Sequence, residues 1–74
     1  MAPEPLEKLS VAVLALTDVE RRVMELLISG KRDKQIAHAL GIHTGSVSQC
    51  LLRARKKLGA TTRSHAVAIF VRMK

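Results

Sequence analysis

Apolar residues recur along this chain at intervals of three and four, the period of one face of an α-helix. In the first such stretch Val19, Val23, Leu26 and Leu27 share a face. Thr17 stands before them with Glu20 three residues on, the spacing of a capping box, in which each residue closes an open backbone amide of the other. Gly30 stands where a left-handed residue ends a helix, so the pattern predicts a helix over about Asp18 to Ser29. Asp33 is the expected cap of a second, shorter helix with Ile36, Ala37 and Leu40 as its apolar stripe and Gly41 as its end. A third begins at His43 or Thr44. Its stripe is Val47, Leu51, Ala54 and Leu58, its polar side carries Ser48, Gln49, Leu52, Arg53 and Lys56, and Gly59 stops it. Thr61 or Thr62 caps a fourth helix that runs to the last residue, with Ala66, Ile69, Phe70 and Met73 as its apolar face and Val67 widening it.

Ala37, Gly41 and Val47 stand at the offsets of a helix-turn-helix. A small residue lets two helices cross closely, a glycine takes the turn's backbone angle without the cost a Cβ adds, and a branched apolar residue closes the second helix onto the first. Ile42 is the apolar plug within the turn Gly41-Ile42-His43. The expected fold is therefore all-α, a four-helix bundle around a central helix-turn-helix. The domain spans 16–74, with the third helix, about 44–58, offered to the major groove of DNA. Residues 1–15 read as an attachment segment. Pro3 and Pro5 favour an extended start, and Leu6, Leu9 and Val13 then return at helical spacing, as a short helix or a linker end would show.

Composition narrows the partner. The chain has 74 residues, room for one small domain. Hydrophobic residues make up 47% but aromatic residues 1%, Phe70 alone, so the core is aliphatic and suits short helices better than strands. The formal charge is +7, and no Asp or Glu follows Asp33, whereas Lys34, Arg53, Arg55, Lys56, Lys57, Arg63, Arg72 and Lys74 do. Such an imbalance favours a polyanion, double-stranded DNA here, over a ribosomal or membrane-surface role. A single cysteine forms no internal disulfide and fits a reducing compartment. No stretch reads as a signal peptide, and Val11 to Leu16 is too short to cross a bilayer. A cytoplasmic, nucleoid-associated protein without membrane contact is expected.

Candidate chemistry changes little. No nucleophile stands with a base and an orienting group, and there is no glycine-rich phosphate loop, so no enzyme is indicated. His38, His43 and His65 lack ligand companions at metal spacing, so neither a metal nor another cofactor is expected. Cys50 reads as a small, half-buried hydrophobe, and Glu20 as a cap and not a catalytic acid. On the third helix Gln49 is the first candidate to touch a base, since its amide can donate and accept together at adenine. Ser48 and Leu52 share its face. Arg53 and Lys56 are phosphate ligands on this reading. Thr44 and Ser46, near open helix-terminal amides, are phosphate donors.

The segments LTDVERRVMELLISG, KQIAHALGI, KKLGA and TTRSHAVAI together resemble the LuxR-type helix-turn-helix domain of quorum-sensing and response regulators. The resemblance covers about Leu16 to Phe70. It implies transcription regulation in bacteria, a recognition role for the third helix, and a homodimer through the fourth, which places Ala66, Ile69, Phe70 and Met73 at the pairing surface. It also implies that Lys34, matching a family lysine of the second helix, touches the DNA backbone. The chain departs from the family at its reading surface. His43 stands where Ser or Thr opens the recognition helix, Ser46-Val47-Ser48 replaces Thr-Val-Lys, and Cys50 occupies a basic or ring-bearing position. Two other readings stand beside this one. One is an interaction module that pairs with a full-length regulator and inhibits it. The other is a promoter-binding segment resembling sigma factor region four, suggested by GSVSQCLLRARKKL, with RNA polymerase as partner.

Overall fold

Helix ends in this chain are set by side chains close in sequence. The computed structural model of the protein describes residues 15–73, and these form four helices: α1 (Asp18–Ile28), α2 (Asp33–Leu40), α3 (Thr44–Lys57) and α4 (Arg63–Met73). The attachment segment expected over residues 1–15 lies, but for Ala15, outside the described residues.

The capping box at α1 is present in full. The Glu20 amide donates to Thr17 Oγ1 at 3.1 Å, and the Thr17 amide donates to Glu20 Oε1 at 2.9 Å. The cap of α2 differs from expectation. Arg32, not Asp33, is the N-cap residue, and its amide donates to Gln35 Oε1 at 2.9 Å. Asp33 is the first helical residue, where its charge still complements the helix dipole and its carboxylate is left for another partner. Gly41 ends α2 at a φ of 67°, in the left-handed region. That turn lets the Gly41 amide donate to His38 O (3.3 Å) and the Ile42 amide to Ala37 O (3.0 Å), closing two open carbonyls. The same two-bond ending recurs at Gly30 after α1 and at Gly59 after α3. Thr62 caps α4 by accepting from the His65 amide at 3.1 Å, and His65 Nδ1 in turn accepts from the Thr61 amide at 3.2 Å.

The core is one cluster. Val23 and Met24 of α1, Ile36 and Ala37 of α2, Val47, Leu51, Ala54 and Leu58 of the α3 stripe, and Ala66 and Phe70 of α4 are all buried. Helix α3 packs on α1 and α2, and α4 closes against α1 and α3. Two stripes are rotated from their expected direction. On α1 the buried face is centred on Glu20, Val23 and Met24, so Val19, a residue to the side, stands 49% exposed. On α4, Ala66 and Phe70 are each 2% exposed, buried in the chain's own core, and Ile69 packs half-buried against it. Ala66 and Phe70, expected at a pairing surface, thus pack in the chain's own core. Met73 is half-buried, while Ala68 and Val71 face outward.

Candidate nucleic-acid interface

The inward stripe of α3 decides what its other side presents. With Val47, Leu51, Ala54 and Leu58 held in the core, the 100° step of the helix turns two neighbouring rows to solvent. One row is Ser48, Leu52 and Lys56; the other is Gln49, Arg53 and Lys56, and all five are exposed. Thr44 and Ser46 are exposed in the first turn, beside the N-cap residue His43, whose side chain makes no capping bond. Ser48 Oγ makes only a long contact, 3.5 Å, to Thr44 O. Lys34 is exposed on α2. The three expected base-facing residues therefore share one surface with Arg53 and Lys56.

The cation run of α3 divides by task. Arg55 and Lys57 turn back onto the protein, while Arg53 and Lys56 make no ion pair among the described residues. Arg55 donates through Nη1 to Ala60 O (3.2 Å) and Thr61 O (2.9 Å), bracing the link between α3 and α4. Lys57 Nζ lies 2.6 Å from Glu20 Oε1, and the Glu20 side chain is only 3% exposed. Burial works against the charge on Glu20, but the Lys57 ammonium and the Thr17 donors outweigh it and hold the carboxyl below its ordinary value. The end of α3 is thus tied to the start of α1. A second tie joins the start of α4 to the start of α2: the Arg63 guanidinium meets the Asp33 carboxylate with both nitrogens, at 3.0 and 3.1 Å. Sequence reasoning missed both ties. Their partners are 37 and 30 residues apart, and no helical period links them.

Cys50 is half-buried on the flank of α3. No helix of the described residues is long and apolar enough to cross a membrane.

An aliphatic bundle with a glycine-turned helix pair and a cationic outward helix agrees with the match of residues 14–70 to the bacterial regulatory proteins of the luxR family. The chain belongs to the luxR family. It is 38% identical over 66 residues to the transcriptional regulatory protein DesR of Bacillus subtilis (strain 168), covering 89% of this chain and 33% of DesR. It is 43% identical over 58 residues to the spore germination protein GerE of the same organism, covering 78% of each. The chain thus spans a third of one relative and most of the other. No solved structure matches it. Membership makes this a DNA-binding helix-turn-helix domain of transcription regulation, and α2, the Gly41 turn and α3 are its helix-turn-helix.

Proposed function

We propose that the chain regulates transcription by laying α3 in the major groove of duplex DNA as one half of a two-fold pair. The observation that carries this reading is the division of the α3 cations. Arg55 and Lys57 are consumed inside the fold, whereas Arg53 and Lys56 stand unpaired among the described residues, flanking uncharged Ser48, Gln49 and Leu52. Phosphate contacts from Arg53, Lys56, Lys34, Thr44 and Ser46 supply affinity and register, and the uncharged centre reads base edges. The name of one relative, a transcriptional regulatory protein, agrees.

Pairing uses α4, on a face other than the one its apolar stripe suggested. Ser64, Ala68 and Val71 follow at i, i+4 and i+7 on the side turned from the core, with Val71 51% exposed, and Val67 beside them is half-buried against the core. Small residues there let a second α4 approach closely, and a two-fold axis between them sets two α3 helices on a partly palindromic site. The same face suits the rival role, pairing with a full-length regulator.

The test compares Gln49→Ala and Lys56→Ala over a panel of duplexes. Gln49→Ala should flatten the preference among sequences. Lys56→Ala should weaken all duplexes alike and lower the salt slope of binding by about one. If both changes act equally on every sequence, Gln49 is not a base reader.

A further inference from the structure

Leu52 is the one large apolar side chain on the outward side of α3, 44% exposed, with Ser48 one turn before it, Lys56 one turn after and Gln49 and Arg53 beside it. A solitary exposed leucine on a protein surface is ordinary. The setting of this one decides its partner. Cations that make no ion pair among the described residues flank it, a setting that suits a polyanion better than an apolar protein face. On its inner side Leu52 adjoins Met24, Leu27 and Leu51 in the lining of a shallow groove of about 180 Å³ between α1, α3 and α4, whose rim also carries Ser48, Arg55 and Arg63. The side chain thus lies partly against the fold and leaves 44% of its surface to solvent.

The major groove offers such a group one apolar feature, the C5-methyl of a pyrimidine. Resting on the proposed major-groove role of α3, we propose that Leu52 makes DNA recognition depend on a C5-methylated pyrimidine, thymine or 5-methylcytosine, in each half-site. Gln49 lies three residues before Leu52 on the adjoining row and is placed to read a neighbouring base pair. Leu52 burying a methyl selects the pyrimidine by shape alone and forms no hydrogen bond. Discrimination is correspondingly modest, about four-fold for one methyl group removed from water.

The experiment uses the whole chain and duplexes selected by it from two random libraries, one of ordinary DNA and one with 5-methylcytosine replacing cytosine. In each selected duplex the pyrimidines are changed singly, thymine to uracil or 5-methylcytosine to cytosine, which removes the methyl and leaves the pairing. The wild type should lose about four-fold in affinity at one position per half-site. Leu52→Ala, an exposed change to a good helix former, should bind both forms equally while keeping the wild-type melting temperature within a few degrees. A loss with uracil names thymine as the source, and a loss confined to the second library names 5-methylcytosine. Wild-type affinity indifferent to every methyl, or a methyl dependence that Leu52→Ala retains, overturns the inference while leaving DNA binding standing. Absence of any bound duplex overturns both.

Discussion

Glu20 fastens two helices with one carboxylate. It closes the first turn of α1 through Thr17 and receives the Lys57 ammonium from the end of α3. Because its folded carboxyl titrates below the ordinary value of 4.5, the stability it contributes is full above that value. That stability is lost as pH falls through the lower folded value. Thermal melts from pH 7 down to pH 3 should therefore show a fall below about pH 4.5 that Glu20→Gln removes in part. Lys57→Met leaves a buried carboxylate with only its cap, and should cost about 1–2 kcal/mol in a denaturant titration, since the ammonium itself is one-third exposed. Lys57 and Arg55 thereby differ from Lys56 and Arg53 in kind: the first two should register in stability and the second two in DNA affinity. The sequence alone separates the pairs only through helix phase. Phase shows which residues point away from the stripe, not that a partner 37 positions distant awaits one of them.

Most of each element was legible because its signals are local. The capping box at Thr17, the left-handed turn at Gly41 and the four-residue rhythm of α3 each arise within a single helical turn of sequence, and each appears in the structure. The misplacements came where a tertiary partner competes. Asp33 reads as a cap, but Gln35 serves the cap amide and Arg63 claims the carboxylate. The α4 stripe reads as an apolar face and, through the family resemblance, as a pairing surface; in the structure Ala66 and Phe70 of that stripe lie buried where α4 packs on α1 and α3. Two predictions belong at this scale. Gly41→Ala places a Cβ at a φ of 67° with open space around it, so its cost is backbone strain alone, about 1–2 kcal/mol by chemical denaturation. His43 leaves the start of α3 without a side-chain acceptor; His43→Ser supplies one and should stabilise the fold by about 1 kcal/mol, read in the same assay.

At the scale of the molecule, a small core carries a surface of one dominant sign. The formal charge of +7 and the absence of acids after Asp33 draw the chain to DNA at long range and make that attraction fall steeply with salt. Charge alone does not choose a sequence. On the proposed function, choice rests on the uncharged patch of Ser48, Gln49 and Leu52, and on pairing through the outward side of α4. Val71→Asp, an exposed change, should leave the melting temperature nearly unaltered. In sedimentation it should abolish self-association, and it should weaken a two-half-site duplex more than a single half-site. The measurement that bears most directly on the account is selection of duplexes from a random library by the isolated chain at near-physiological salt, with sequencing of the bound fraction. Enrichment of a motif with two related half-sites is the predicted result. Binding without enrichment, or no binding, would contradict a sequence-reading α3 and leave the domain a charge-driven coat or an interaction module.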